Sequence, residues 1–396
     1  MVIYSHDTYG LGHLRRCLKI SEALNHTYPE LTILLLTGSS YAGRYPLPEG
    51  MDFIKLPAVV KVSDNTYRPR SLGISFTEIL ELRQNLIFEA VRTFNPALLL
   101  VDHSPLGMKG ELKKTLFWLK EENPRCQLVL GLRDIIDEPA KVIADWEAEG
   151  VHKFLDLTYD RIFVYGTPEV FDLVGSYSFG QLARAKTSYT GFITNPTGGP
   201  TNIETRIDRR HLTKEVFLTL GGGEDGGEIV ATYLSMLSQY RSRVDIRTTI
   251  VTGPLFPDPA RSILEAEARA LGVEFTDFIP DLAGHLKRAD LVVSMGGYNT
   301  VAEILATARK ALIIPRTYPR KEQLIRAQRL SDMGLVSFIP PDQLTPAVLF
   351  DTISSLLSRE DDPLAEARET RLLPLDGAAK VASLCYPMLK TPLEVH

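Results

Sequence analysis

Leu291-Val292-Val293-Ser294-Met295-Gly296-Gly297-Tyr298-Asn299-Thr300-Val301-Ala302-Glu303 passes from a short apolar run through paired glycines into a helical pattern. Such a strand–glycine–helix order leaves the first amides of the helix, with the Thr300 hydroxyl, able to meet a phosphate. Glu303 follows Thr300 by about one helical turn and shares its face. A carboxylate placed there can accept two hydrogen bonds from a ribose diol. The next apolar run, Ala311–Ile314, leads into Arg316-Thr317-Tyr318-Pro319-Arg320-Lys321-Glu322-Gln323, which supplies cations for phosphates and an amide for sugar hydroxyls. Each piece alone also reads as a helix cap or a solvated charged loop. The ordered series is far more specific than its parts.

Outward from this stretch, apolar runs alternate with helical patterns along the whole chain. In the second half the predicted strands are Glu215–Leu220, Ile246–Thr252, Val273–Phe278, Asp290–Ser294, Ala311–Ile314 and Leu335–Phe338. In the first half they are Val2–Ser5, Thr32–Thr37, Phe53–Leu56, Ala97–Asp102, Gln127–Leu132 and Arg161–Tyr165, with helical stretches such as Leu14–His26 and Phe76–Phe94 between them. Leu98-Leu99-Leu100-Val101 and Ile33-Leu34-Leu35-Leu36 show no alternation, as expected of parallel strands covered on both faces. The segment Thr194–Thr205, rich in Pro, Gly, Thr and Asn, separates the two series as a linker. The expected organisation is an N-terminal Rossmann-like domain over 1–195, a linker over 196–212 and a C-terminal Rossmann-like domain over 213–375. A last helix over 376–396 has the option of returning to the first domain. A length of 396 residues suits two such domains.

Bulk properties exclude several classes. A net charge of -5 gives no electrostatic reason to expect nucleic acid as a partner. The cysteines Cys17, Cys126 and Cys385 lie far apart, in neither a disulfide framework nor a zinc pattern. No apolar run is long enough for a membrane span and no signal peptide is evident, so the cytoplasm is the expected compartment, with peripheral membrane contact left open.

Ligands of doubly wound sheets bind beyond the carboxyl ends of the strands. After the first strand comes His6-Asp7-Thr8-Tyr9-Gly10-Leu11-Gly12-His13. Gly10 and Gly12 allow a sharp turn and a close ligand approach. His13 then stands at a helix start, where an imidazole can take a proton from a hydroxyl at neutral pH. Arg15 falls where a dinucleotide fingerprint would carry its third glycine, which disfavours a nicotinamide dehydrogenase. After Val216–Leu220 comes Gly221-Gly222-Gly223-Glu224-Asp225-Gly226-Gly227-Glu228, whose amides can cradle an anion. Asp225 and Glu228 have capping-box spacing, which would turn Asp225 away from a ligand. Asp102-His103 and Arg133-Asp134 are the acceptor-side candidates, although Asp102 also suits a helix cap and Arg133 can pair with Asp134. The polar segment Val60–Ser71 reads as a lid or a solvated connection. No Asp-x-Asp motif or other metal-ligand spacing occurs, so neither metal nor cofactor is expected.

Gly296-Gly297-x-x-Thr300-x-x-Glu303, followed by Pro315, Glu322-Gln323-x-x-Arg326-Ala327, Leu330 and Gly334, resembles the donor-binding half of glycosyltransferase family 28, which includes the MurG-type N-acetylglucosaminyl transferases. The resemblance implies a GT-B fold, two Rossmann-like domains facing across a cleft. It also implies inverting, metal-independent transfer of a hexosyl or N-acetylhexosaminyl group from a nucleotide-sugar, a UDP-sugar, to a hydroxyl of a glycan, lipid-linked or small-molecule acceptor. Carried over by position, Glu303 would hold the ribose, Thr300 with Gly296 and Gly297 the diphosphate, and Gln323 the donor sugar. Gly221, Gly222 and Gly223 match the family's second glycine loop, and His13 the His of its first. Gly12, Asn299, Arg316 and Glu322 complete the expected donor-binding set, with His13 as the catalytic base. Glu224-Asp225 and Glu322 depart from the family pattern. Gly10-x-Gly12-His13-x-x-Arg16-Cys17-Leu18 is also similar to the nucleotide-sugar hydrolase of the pseudaminic acid pathway, in which such a His activates water; hydrolysis is the competing expectation.

Overall fold

The computed structural model describes residues 1–6, 11–63, 66–194, 213–243 and 245–390. The chain divides into two compact units, Met1–Pro196 with Asp376–His396, and Thr197–Leu375. The linker expected over 196–212 lies outside the described residues.

The first unit is built on β1 (Val2–Ser5), β2 (Ile33–Thr37), β3 (Met51–Lys55), β6 (Leu98–Asp102), β7 (Gln127–Arg133), β8 (Arg161–Tyr165) and β9 (Thr187–Tyr189), with a separate hairpin of β4 (Val59–Ser63) and β5 (Thr66–Pro69). The sheet order is β3-β2-β1-β6-β7-β8-β9 and every pairing is parallel. The second unit carries β10 (Lys214–Thr219), β11 (Ile246–Val251), β12 (Glu274–Thr276), β13 (Leu291–Ser294), β14 (Ala311–Ile313) and β15 (Ser337–Phe338). Its order is β12-β11-β10-β13-β14-β15, again all parallel. Strand order reverses beside β1 and beside β10. The carboxyl ends of β1 and β6, and of β10 and β13, are therefore the places where such sheets open to a ligand.

Burial explains why these runs are strands. Leu98 to Val101 are wholly buried, because helices cover both faces of the sheet. The second unit centres on Val216, Leu218, Tyr233, Ile250, Leu291, Val293, Leu312 and Ile353. Within the first unit the helix Gly377–Leu389 packs on the helix Gly12–Thr27, and Tyr28 stacks on Tyr386 with ring centroids 4.2 Å apart.

Two local segments take a more specific form than the sequence implied. The polar segment Val60–Ser71 holds most of an antiparallel hairpin, anchored where Val59 packs with Ile79 and Met108. The strand read to Phe278 stops at Thr276, because β12 has a partner only on its β11 side and that register ends there. Among the described residues no helix is long and apolar enough to cross a membrane.

A buried ion pair ties the first unit together. Arg83, from the helix Phe76–Phe94, donates Nε to Glu111 Oε2 and Nη2 to Glu111 Oε1, both at 2.7 Å. Its Nη1 donates to the Pro57 carbonyl at 2.7 Å, and the Tyr4 hydroxyl donates to Glu111 Oε1 at 2.5 Å. Glu111→Ala is expected to destabilise the protein by about 3–5 kcal/mol, since it strands the buried Arg83 cation. Urea unfolding checks this; a change below about 0.5 kcal/mol would show that water reaches the guanidinium.

Candidate functional site

In the first unit the helix Gly12–Thr27 is the next element after β1, and His13 is its second residue. Gly10 lies outside the described residues. Asp102, the last residue of β6, is buried, and its Oδ2 lies 2.7 Å from His13 Nδ1. A carboxylate that close needs a proton between the two atoms, so Nδ1 carries the hydrogen and Nε2 keeps its lone pair. Arg16, three residues beyond His13 on the same helix face, is 1% exposed. It donates Nε to Asp102 Oδ1 at 2.9 Å and Nη2 to Oδ2 at 2.7 Å. The 2.9 Å approach of Arg16 Nη2 to His13 Nδ1 is that of two donors sharing one carboxylate oxygen.

The electrostatics follow. Burial pushes the His13 imidazole below 6.5; the Asp102 hydrogen bond and charge oppose this, and Arg16 and Arg133 add to it. Burial alone would raise the Asp102 carboxyl, yet the charge of Arg16 and the bond from His13 hold it at about 2. At neutral pH the constellation is a neutral imidazole on an ionised carboxylate, the form a general base requires.

The structure brings His13, Asp102, His103 and Arg133 together. The His13 and His103 rings are 5.1 Å apart between centroids, and His6 lies 5.6 Å from His13. His103 has φ 70 and donates its N–H to the Gly131 carbonyl at 2.7 Å. Asp134 is buried, and its Oδ1 accepts from the Ile135 N–H at 2.8 Å. The Asp102 carboxylate is shared between His13 and Arg16. The sequence reading did not single out His6, nor Tyr165, whose ring lies 5.6 Å from the Arg16 guanidinium. Arg16 is part of the Gly10–Leu18 motif, but only the fold shows its bonds to Asp102.

In the second unit the Gly221–Gly226 loop follows β10. Gly223 has φ +90, and a Cβ there would come within 2.4 Å of the Thr252 carbonyl oxygen, so only glycine fits. The helix Gly227–Tyr240 has Gly226 as its N-cap, without a side-chain bond. The capping box expected of Asp225 and Glu228 does not form, because the Asp225 carboxylate instead accepts from Arg316 Nη1 at 3.0 Å, a charge-assisted bond stronger than a cap.

Beyond β13, Gly296 takes φ +89 and Gly297 is the N-cap of the helix Tyr298–Thr307. Asn299, Thr300 and Glu303 are buried on that helix. A Cβ on Gly221 would lie 3.2 Å from Thr300 Oγ1, so the Gly221 loop abuts this hydroxyl. Arg326, buried, donates to the Gly296 carbonyl at 2.8 Å and fixes the turn. Arg316 donates Nη2 to Glu322 Oε1 at 3.0 Å, and its backbone N–H to Gln323 Oε1 at 3.2 Å.

Helix-start amides, a hydroxyl and a buried carboxylate thus converge at the β10–β13 switch point. This is an arrangement for a phosphate beside a diol. Residues 218–382 match the Glycosyltransferase family 28 C-terminal domain. The matched stretch contains every second-unit site residue described above. Among curated relatives, the chain is similar to the UDP-N-acetylglucosamine--N-acetylmuramyl-(pentapeptide) pyrophosphoryl-undecaprenol N-acetylglucosamine transferase of Aeromonas hydrophila, 34% identical over 136 residues, or 34% of this chain and 38% of that protein. The enzyme of the same name from Bacillus licheniformis is 26% identical over 178 residues, 45% of this chain and 48% of that protein. The chain spans under half the length of the curated relatives it matches. Among solved structures, Acinetobacter baumannii MurG aligns with TM-score 0.60 and 13% identity over 98% of both chains. A UDP-glucosyltransferase from Polygonum tinctorium aligns with TM-score 0.65 and 11% identity, covering 99% of this chain and 98% of that one. The chain has the GT-B fold of these structures. Among the described residues no group of three or more His, Cys, Asp or Glu is placed to hold a metal ion.

Proposed function

We propose that this protein is an inverting glycosyltransferase that moves a hexosyl or N-acetylhexosaminyl group from a nucleotide-sugar to an acceptor hydroxyl. The observation that carries the proposal is the buried pair Thr300 and Glu303 on one helix face, with the Gly221 loop against the Thr300 hydroxyl. Donor binding belongs to the second unit: amides of the Gly221–Gly223 and Gly296–Gly297 turns on the diphosphate, Glu303 on the ribose diol, Gln323 on the sugar. A UDP-sugar is the first donor to try, since the Aeromonas relative is named for UDP-N-acetylglucosamine.

Acceptor activation belongs to the first unit. As the acceptor oxygen forms its bond to the anomeric carbon, its proton passes to His13 Nε2. The bond from that carbon to the phosphate oxygen breaks, and the nucleoside diphosphate leaves with the electron pair. Asp102 stabilises the imidazolium that forms. Amides at the helix starts offset the charge on the leaving group.

Thermal shift against UDP, dTDP and their sugar conjugates tests the donor half. A ligand at about 100 times its Kd adds roughly 2.7 kcal/mol of stability. Glu303→Ala is expected to weaken the nucleotide by about 10–100-fold, the value of hydrogen bonds to a charged group. Unchanged binding in that variant, or no shift with any nucleotide, would remove the donor site. Nucleotide release that requires a glycan or lipid extract supports transfer; rapid release without one supports hydrolysis.

A further inference from the structure

Arg16 lies one helical turn beyond His13 and takes both oxygens of Asp102, Nε on Oδ1 at 2.9 Å and Nη2 on Oδ2 at 2.7 Å. His13 Nδ1 shares Oδ2, at 2.7 Å, with a guanidinium nitrogen only 2.9 Å away from it. A carboxylate beside an imidazole ordinarily raises the ring's affinity for a second proton. Here that proton would create an imidazolium against a cation that already answers the carboxylate charge.

Solvent screens these charges little. The Arg16 and Asp102 side chains are each 1% exposed. Tyr165, wholly buried at the end of β8, covers the guanidinium with its ring 5.6 Å away. Gly131 on β7 leaves room for that ring, since a Cβ there would come within 1.8 Å of the Tyr165 hydroxyl. In such a covered site charges act on one another far more strongly than in water. Arg133, at the end of β7, also disfavours a charged His13. The remaining groups facing the ring are the imidazoles of His6 and His103, 5.6 and 5.1 Å away between centroids.

We propose that Arg16 is a positioning residue for proton transfer: it offsets the Asp102 charge, so that the carboxylate fixes the His13 tautomer without drawing a second proton onto Nε2. An isolated His–Asp pair couples orientation to basicity, and the guanidinium separates the two. The consequence is a base that stays unprotonated in mildly acidic solution. The inference rests on His13 as the base of the proposed transfer. Its first test needs no substrate, so the two readings fail separately.

NMR titration of the full chain, labelled in its eight histidines, follows the His13 ring directly, with His13→Ala to assign the resonance. Wild-type His13 is expected to titrate below 6.5. Arg16→Gln keeps a donor for Asp102 but removes the charge, and is expected to raise the proton affinity of His13 about tenfold or more. Arg16→Lys, which keeps the charge, is expected to stay within about threefold of wild type. So is Arg16→Gln/Asp102→Asn, in which both charges are gone and no buried ion is stranded; this double variant carries the test where Arg16→Gln alone does not fold. Three results would each overturn the inference: an Arg16→Gln ring that titrates with wild type, an Arg16→Lys ring that follows Arg16→Gln, or a double variant about tenfold away from wild type. The kinetic counterpart is an acid limb of kcat/KM that moves up in Arg16→Gln, with the rate at high pH recovering to within about tenfold of wild type. A rate lowered equally at every pH, with the limb unmoved, would leave Arg16 with a packing role only.

Discussion

His13→Ala is expected to lower turnover by about 10²–10⁴-fold, the usual contribution of a general base, with nucleotide affinity near wild type. The side chain is only 12% exposed and bonds to Asp102, so some loss of stability accompanies the loss of turnover. The pH profile gives a second readout. Burial lowers His13 from 6.5, and the base is lost only when pH falls through that depressed value. The acid limb of kcat/KM is therefore expected below pH 6.5 and is absent in His13→Ala. The same shift affects stability. The unfolded chain binds this proton at a higher pH than the folded one, so the group subtracts stability as pH falls below 6.5. Full turnover in His13→Ala, or an acid limb above 6.5, would leave the imidazole with a structural role only.

Asp102→Asn is expected to fail differently, losing both activity and fold stability. Arg16 and Asp102 side chains are each 1% exposed and share two hydrogen bonds. Neutralising the carboxylate leaves a buried guanidinium without its counter-charge, a loss of about 3–5 kcal/mol. Turnover is also expected to fall, by about 10²–10⁴-fold, because His13 loses the acceptor that fixes its tautomer. The Asp102 carboxyl is held at about 2, so its stabilisation is present above 3.8 and disappears as pH falls through 2. Urea unfolding of the two variants separates them: His13→Ala loses less stability, Asp102→Asn more, because only the latter strands the buried Arg16 charge. Equal stabilities would mean that Arg16 finds another partner, and the clamp on Asp102 would be dispensable.

Elements whose identity rests on local pattern were readable directly. Apolar runs such as Leu98–Val101 and Ile33–Leu36 lack alternation, and both proved to be parallel strands. Paired glycines before a helix marked Gly296-Gly297, because a positive φ is a property of one residue and its neighbours. What escaped was short or depended on distant partners. β9 has only three residues and pairs with β8 alone, too little for any periodicity to register. The hairpin of β4 and β5 looked polar because its few apolar residues, Val59 among them, find their burial against Ile79 and Met108.

The sequence by itself determined two parallel α/β series, their glycine turns, the placing of His13 and Thr300 at helix starts and of Glu303 one turn further on, since all of these follow from residue order and hydrophobic period. Only the tertiary structure decided which charges meet. Asp102 lies 89 residues from His13 and Asp225 lies 91 from Arg316, and the crossovers of a parallel sheet bring such strand ends side by side. A carboxylate read alone is equally a cap, a ligand or a solvated charge. Its role is set by the cation that folding places 3 Å away.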